Sequence, residues 1–238
     1  MRLPIAKEGW SLVNFFLLFT VAGYILGKFS KIFYLFALCS LLLAIFLLYF
    51  FRDPERIITQ DENIILSPAD GRIIGISNEN GYKVIKIFMS PFNVHIQRAP
   101  LSGEVVSIEY KKGKFLPAQK ENASFENEQN LVSIEHRPAR QYLAGGAKSK
   151  ENFISGNQRD LEKSAVIRVT VKQIAGILVR RIVCWTKIGD CLNQGQKIGI
   201  IMFGSQVDIA LPENIDLKVK LGDKVKAGLN ILASLIET

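Results

Sequence analysis

The chain is poor in the residues that build most metal and redox sites. It contains three cysteines and two histidines among 238 residues. Cys184 and Cys191 do not form the closely spaced CxxC pairs of zinc and redox motifs, and Cys39 lies within an apolar stretch. An odd number of unpaired cysteines favours a reducing compartment over a secreted disulfide framework. The sequence therefore predicts no metal centre, and it favours a cytoplasmic location for the folded body.

Charged residues are absent from two long stretches near the N-terminus. Residues 9–27 and 32–51 contain no Asp, Glu, Lys or Arg, and a helix needs about 20 apolar residues to cross the hydrocarbon core of a bilayer. The first stretch is too long for the apolar part of a signal peptide, and no small-residue cleavage site separates it from the second. Because only residues 28–31 join the two stretches, the sequence predicts a membrane-anchoring helical hairpin over residues 1–51.

The distribution of positive charge sets the expected orientation of this hairpin. Arginines and lysines at its two ends modestly outnumber the two lysines of its turn, which favours the cytoplasmic face of the inner or plasma membrane for the rest of the chain. The formal net charge of +8 suits an anionic membrane surface. No basic aromatic cluster typical of a nucleic-acid platform is present, so nucleic acid is not an expected partner.

Turn residues separate many short apolar or alternating runs after residue 52. The runs are 71–77, 82–89, 103–110, 130–136, 165–176, 180–185, 197–203, 206–212 and 217–222. They predict a mainly β (α+β) fold, in which a compact antiparallel barrel or sandwich domain of residues 52–238 follows the hairpin. Polar residues 136–164 are expected to form a surface insertion. Residues 215–235 resemble the hairpin of biotinyl and lipoyl carrier modules, but they lack the lysine-bearing turn of those modules.

Three short motifs place reactive side chains where strand formation does not need them. "SPADG" puts Asp70 in a turn, "SPFNVHIQRAP" puts His95 between two prolines, and "FGS" puts Ser205 after Gly204. Each has an ordinary alternative, namely an Asp-Gly turn, a buried core histidine, and a β-bulge that interrupts one strand over residues 199–212. Together they are the components of an activated nucleophile, in which a carboxylate orients an imidazole that takes the hydroxyl proton.

Six motifs between residues 50 and 212 resemble those of one family in content and order. They are "FFRDPER", "SPADG", "FNVHIQRAP", "YKKGKF" followed by "ENE", "QIAGILVRRIV" and "GIIMFGSQVDIALP". On these motifs the chain is similar to the phosphatidylserine decarboxylase proenzymes, particularly the short bacterial and archaeal type. The position of the predicted hairpin agrees with the same resemblance.

This resemblance implies that the protein cuts its own backbone. The Ser205 hydroxyl attacks the Gly204 carbonyl, the peptide becomes an ester, and β-elimination separates a β chain (1–204) from an α chain (205–238) that begins with a pyruvoyl group. Glycine suits this step because a side chain at position 204 would obstruct the attack. In this scheme His95 is the base that activates Ser205, and Asp70 holds His95 in the required tautomer.

The activity implied is conversion of phosphatidylserine to phosphatidylethanolamine and carbon dioxide. The pyruvoyl group, the one cofactor expected, forms a Schiff base with the head-group amine and acts as an electron sink. His95 is the candidate proton donor. Arg98, Arg180 and Arg181 are candidates to contact the lipid phosphate or the substrate carboxylate, with surface ion pairing as the alternative. Expected partners are the phospholipid, the membrane and the two chains of one precursor, and a homodimer is left open.

Two alternative functions remain from the residues alone. An ether-linked serine lipid, the archaetidylserine type of substrate, carries the same head group. A non-enzymatic membrane-anchored β module would stay uncut and tolerate changes at Ser205. Departures from the family pattern are Met202 and Gln206, where basic residues are usual, Gln97, where asparagine is common, and a long insertion around residues 144–164. These departures bear on head-group recognition and on rate.

Overall fold

Two apolar helices come first in the computed structural model, which describes residues 5–114, 123–136, 166–176, 181–202 and 205–236. A 3₁₀ turn (Lys7–Gly9) leads into α1 (Trp10–Leu26), and α2 (Ile32–Phe50) follows after a short turn. The Ser40 hydroxyl donates to the Phe16 carbonyl at 2.7 Å, so the helices pack as an antiparallel pair. The helical segments Lys7–Leu26 and Ile32–Phe50 are both long and apolar enough to cross a membrane by length and composition. The predicted helical hairpin is confirmed.

The strands of the described residues form three antiparallel sheets. The largest has eight strands in the order β13-β2-β3-β11-β7-β6-β5-β9, and the others have the orders β1-β14-β12 and β4-β10-β8. The strands are β1 (Ile64–Leu66), β2 (Gly71–Glu79), β3 (Tyr82–Met89), β4 (Ile96–Arg98), β5 (Gly103–Lys111), β6 (Gln129–His136), β7 (Ile167–Ile174), β8 (Arg181–Cys184), β9 (Cys191–Leu192), β10 (Lys197–Met202), β11 (Ser205–Pro212), β12 (Ile215–Leu217), β13 (Lys224–Val225) and β14 (Ile231–Leu235), with one helical turn, α3 (Ala123–Glu126), between β5 and β6. The prediction of a mainly β body is confirmed.

Strand alternation decides which face of the large sheet is buried in the main core. Val207, Ile209 and Leu211 of β11 have no solvent-exposed surface and belong to one apolar cluster with Ile85 and Ile87 of β3. Alternate residues of a strand point to opposite faces, so this period of two supplies a continuous inner face. Burial of each such side chain contributes about 1.5–3 kcal/mol to folding.

The base of the hairpin packs directly on the small sheet β4-β10-β8. Phe50 and Phe51 are fully buried in a second apolar cluster that includes Val94 and Met202. The backbone amide of Ala6 donates to the Phe51 carbonyl at 2.8 Å. The hairpin therefore shares a packed core with the strands and is not joined to them only by a flexible linker.

Three expectations about individual segments need correction, and a fourth falls outside the described residues. Residues 199–212 do not form one strand with a bulge, because β10 ends at Met202 and β11 begins at Ser205 in a different sheet. The predicted strand 217–222 contributes only Leu217 to β12. The carrier-like tail is not a simple hairpin either, since β12 pairs with β14 while β13 pairs with β2. The expected insertion, apart from its first residue His136, lies outside the described residues.

Candidate active site

Two connections between the sheets are held together at both ends. Strand β3 pairs with β11, which places Met89 opposite Ser205, and β4 pairs with β10, which places Ile96 opposite Ile200. The chain passes from the large sheet to the small sheet between β3 and β4, and it returns to the large sheet between β10 and β11. The two connections therefore join the same two sheets side by side. The connection that carries His95 therefore starts and ends beside the connection that contains Gly204, although Gly204 itself lies outside the described residues.

His95 occupies the last position of its connection with its side chain almost fully buried, at 1% exposure. The backbone amide of Ile201 donates to the His95 carbonyl at 3.2 Å. Nδ1 of His95 lies 3.0 Å from the Asn93 carbonyl, and a carbonyl can only accept, so Nδ1 carries the proton. Nε2 then carries the free lone pair, and this atom is buried without a hydrogen-bond partner among the described residues. This is the protonation state of a general base.

Burial keeps the imidazole neutral. It lowers the pKa of His95 from 6.5 to about 4, because an imidazolium would lose its hydration. The hydrogen bond to the Asn93 carbonyl raises the pKa, the positive charge of Arg52 lowers it, and the negative charge of Asp70 raises it. The lone pair is therefore available throughout the neutral range.

This pKa predicts an unusual acid limit for any reaction that uses neutral His95 as a base. The rate should fall as the pH drops through about 4, and not through the ordinary value of 6.5. The lowered pKa also makes stability depend on pH, because the unfolded chain binds the proton at a higher pH than the folded chain does. The free energy of unfolding contributed by neutral His95 is therefore present above pH 6.5 and is lost as the pH falls towards 4. The measurement is the appearance of the 205–238 fragment after cell-free synthesis across a pH series, and an acid limit near 6.5 would contradict it.

Asp70 is bound by partners other than His95. Arg56 donates from Nη1 to Oδ1 at 2.7 Å and from Nη2 to Oδ2 at 2.9 Å, and the Ala227 amide donates to Oδ1 at 2.8 Å. The expected carboxylate contact with the imidazole is thus not the one observed, since the Asn93 carbonyl is bonded to Nδ1. Asp70 influences His95 through its charge, and its part in catalysis stays a prediction.

The Arg56–Asp70 pair predicts a large loss of stability when one partner is removed. The two side chains are only 7% and 9% exposed, so Arg56→Gln leaves a buried carboxylate without its counter-charge. We expect a loss of about 3–5 kcal/mol in the free energy of unfolding, measured by urea titration in detergent. Arg168→Gln is the matched control, because Arg168 is 56% exposed in its pair with Glu135 and an exposed pair contributes about 0–1 kcal/mol. Equal losses in the two variants would show that the buried pair contributes no more than the exposed one.

The three candidate arginines differ in their surroundings. Arg98 is buried, and its guanidinium donates to the carbonyls of Gly195 at 2.9 Å and Pro54 at 3.4 Å. Arg181 is exposed and lies opposite Met202, the last described residue before Gly204. Arg180 lies outside the described residues. Arg98 therefore stabilises the backbone through hydrogen bonds to two carbonyls. Of the described candidate arginines, Arg181 is the one located next to the connection between β10 and β11.

A chain of buried amides supports the backbone of His95. Gln97 donates to the His95 carbonyl at 2.8 Å, Gln173 donates to Gln97 at 2.8 Å, and Asn130 donates to Gln173 at 2.9 Å. Gly199 leaves room for this chain, since a Cβ there would lie 2.9 Å from Nε2 of Gln173. The amides link β6, β7 and β4, so the base is positioned by three strands of two sheets.

Sequence reasoning missed several residues that surround the base. The Phe50 ring lies 4.2 Å from the His95 ring at an angle of 32°, Asn93 sets the tautomer, and Arg56 neutralises Asp70. Phe50 and Arg56 belong to the "FFRDPER" motif, which served only as a mark of resemblance. The available signal in the sequence was a pair of aromatic residues followed at once by charged residues at the end of an apolar stretch.

The arrangement can support serine chemistry at a strand junction. A neutral imidazole in apolar surroundings lies beside a connection that contains a Gly-Ser pair, and water is excluded on the side covered by Phe50. Within the described ranges, no group of three or more His, Cys, Asp or Glu side chains is placed to hold a metal ion. Such a site fits a nucleophile generated by a base, as in other activated hydroxyls.

Comparisons with known proteins identify the family of this chain. A family model described as "Phosphatidylserine decarboxylase" matches residues 43–233. The chain is 39% identical to the phosphatidylserine decarboxylase proenzyme of Geotalea uraniireducens over 98% of this chain and 97% of the relative. It is 37% identical to that of Burkholderia vietnamiensis over 97% and 96%. It is also 38% identical to the putative archaetidylserine decarboxylase proenzyme of Methanocaldococcus jannaschii over 87% and 97%. The chain belongs to the phosphatidylserine decarboxylase family, as its motifs predicted.

Proposed function

We propose that this protein is a phosphatidylserine decarboxylase made as a proenzyme that cuts itself before Ser205. One observation carries the proposal: the lone pair of His95 Nε2 is buried, unpartnered among the described residues, and located on the connection that runs beside the Gly-Ser connection. The family membership and the names of the relatives support the same reaction.

The self-cleavage that we propose uses His95, Gly204 and Ser205. His95 takes the hydroxyl proton of Ser205, whose oxygen attacks the Gly204 carbonyl and displaces the amide nitrogen to form an ester. Removal of the α-hydrogen of residue 205 then breaks the Cβ–O bond and releases Gly204 as a carboxylate. Water replaces the nitrogen at Cα, ammonia leaves, and residue 205 becomes a pyruvoyl group. No external oxidant is needed, because elimination supplies the change in oxidation level.

We place the proposed pyruvoyl group at position 205, the first residue of β11. When formed, this group supplies an electron sink for loss of a carboxylate from a bound amino acid head group. His95 is the group of this chain that holds and returns a proton there, and Phe50 keeps water from its ring. Asp70 lies nearby in its ion pair with Arg56, and Arg181 is the candidate to contact an anionic head group.

The hairpin supplies the proposed location. We place residues 1–51 in the inner or plasma membrane and the decarboxylase domain, residues 52–238, on the cytoplasmic face. Many large apolar side chains of both helices are solvent-exposed, as a lipid-facing surface requires. The membrane and its phospholipid are thus the proposed partners, together with the α and β chains of the same precursor.

The decisive experiment joins mass measurement to activity. Purified protein should yield a fragment of residues 205–238. The mass of this fragment should be lower than that of the unmodified sequence by one ammonia molecule, because a keto group replaces the Ser205 amine. It should also release carbon dioxide from vesicles containing phosphatidylserine. An uncut chain without activity would support the non-enzymatic module instead. A parallel assay with an ether-linked serine lipid tests the second substrate, which the name of the archaeal relative suggests.

A further inference from the structure

The last two turns of α2 each contact the connection that carries His95. Phe50 stacks on the His95 ring at 4.2 Å, and Phe46 meets the Phe92 ring edge-on at 6.5 Å. Four residues of α-helix span about 6 Å along the axis. Phe92 therefore lies about one helical turn further along the hairpin than His95, towards the middle of the apolar helix.

Phe92 does not contribute to either apolar core. Its side chain is 66% exposed, at the tip of a loop that otherwise buries its neighbours Val94 and His95. Tyr49, on the same end of α2, is also exposed, and its hydroxyl lies 3.4 Å from the Phe92 carbonyl. Exposed aromatic rings at the end of an apolar helix are typical of the interface between acyl chains and head groups.

Arg52 lies at the polar edge of this aromatic pair. It donates from Nη2 to the Phe92 carbonyl at 2.7 Å and from Nη1 to the Tyr49 carbonyl at 2.8 Å, with its guanidinium 3.9 Å above the Tyr49 ring. A guanidinium has five N–H donors, so these contacts leave others unused. In the part of the chain that the structure describes, Arg52 forms no ion pair with a carboxylate, whereas Arg56 does. An oriented, unpaired guanidinium suits a phosphate.

Arg52 is linked to the base through Phe92, which lies three residues before His95 on the same connection. One oxygen and one methylene separate the phosphate from the α-carbon of phosphatidylserine, so its phosphate must bind close to the group that exchanges a proton with that carbon. Arg52 is close enough for its charge to lower the pKa of His95, and Phe92, whose carbonyl Arg52 holds, lies on the His95 connection.

We propose that Arg52 and Phe92 form a lipid-access site in which Phe92 lies among the acyl chains and Arg52 binds the phosphate of a membrane glycerophospholipid. The substrate then reaches His95 laterally from the bilayer along the end of α2. The inference rests on the proposed decarboxylase function and names the residues that deliver its lipid.

Two substrates separate the roles of the two residues. Phosphatidylserine in phosphatidylcholine vesicles requires both phosphate binding and contact with the bilayer, whereas water-soluble glycerophosphoserine has the phosphate and head group alone. We expect Arg52→Ala to raise KM for both substrates about tenfold to a hundredfold, because a charge-assisted contact is lost. Phe92→Ala should raise KM for the vesicle substrate only. Mass measurement of each variant restricts the comparison to cleaved chains.

Matched variants and a second readout make the result decisive. Arg72→Ala and Leu221→Ala remove an exposed arginine and an exposed apolar side chain elsewhere, and KM should not change. Brominated lipids should quench the added emission of Phe92→Trp but not that of Leu221→Trp. An unchanged KM in Arg52→Ala, an equal effect of Phe92→Ala on both substrates, or an unquenched Trp at position 92 would overturn the access site. Absence of decarboxylation by cleaved wild type would overturn the proposed function instead, and the quenching result does not depend on activity.

Discussion

The Ser205→Ala variant is expected to remain one polypeptide of 238 residues, whereas we expect the wild type to separate before position 205. Alanine has no oxygen to attack the Gly204 carbonyl, so neither the ester nor the elimination can form. We expect the cleavage rate to fall by more than about a thousandfold, as for loss of other catalytic nucleophiles. Decarboxylation should be lost with it, because no keto group is made. Intact mass measurement gives both the extent and the position of cleavage.

Ser205→Thr is the matched control for this variant. Threonine retains the hydroxyl but adds a methyl group, so cleavage should continue more slowly. The resulting fragment should begin with a 2-oxobutanoyl group, one methylene heavier than pyruvoyl. A Ser205→Ala chain that is cut at the normal position would exclude the hydroxyl as the nucleophile. A Ser205→Thr fragment with an unmodified amine terminus would exclude β-elimination.

Replacing His95 by phenylalanine should also block self-cleavage while preserving the fold around it. The new ring retains the packing against Phe50, but it has no nitrogen to take the hydroxyl proton of Ser205. General bases contribute about a hundredfold to ten-thousandfold to rates, so the precursor should persist over times at which the wild type is fully cut. The measurement is the fraction of uncut chain against time after synthesis.

The second histidine of the chain offers an unusually close control. His136 is also buried, its Nδ1 also contacts a backbone carbonyl, that of Ser102 at 2.6 Å, and its Nε2 is also unpartnered within the described ranges. It lies at the end of β6 and not at the junction of the sheets. His136→Phe should therefore leave cleavage intact. Loss of cleavage in both variants would point to a general effect of removing a buried histidine, and normal cleavage in His95→Phe would reject His95 as the base.

The shared core of hairpin and strands has a consequence for enzyme activity. Phe50 belongs to the end of α2, yet it contacts the ring of the proposed base and lies in one apolar cluster with Met202 of β10. Substitutions at the base of the hairpin can therefore change the position of the His95 ring through packing alone. Variants of the hairpin base should be tested for cleavage as well as for membrane association.

Local patterns in the chain were sufficient for several conclusions. Two uncharged apolar stretches indicated the hairpin, and alternation such as Val207, Ile209 and Leu211 indicated strands, because each pattern reports burial within a few residues. Short strands such as Ile96–Arg98 were missed, since three residues do not establish a period. The Gly-Ser pair was recognised from its motif, but its position between two sheets was not.

The sequence by itself determined the class of the protein, because the order of its motifs and the lengths of its apolar stretches are properties of the linear chain. Only the tertiary structure decided that Arg56 and the Ala227 amide, not His95, bind Asp70, and that the Asn93 carbonyl selects the tautomer of His95. It also brought Phe50 and Arg52 of the hairpin end to the connection that carries His95. The physical reason is that these partners are joined by strand pairing and core packing between distant parts of the chain, which no local pattern of residues records.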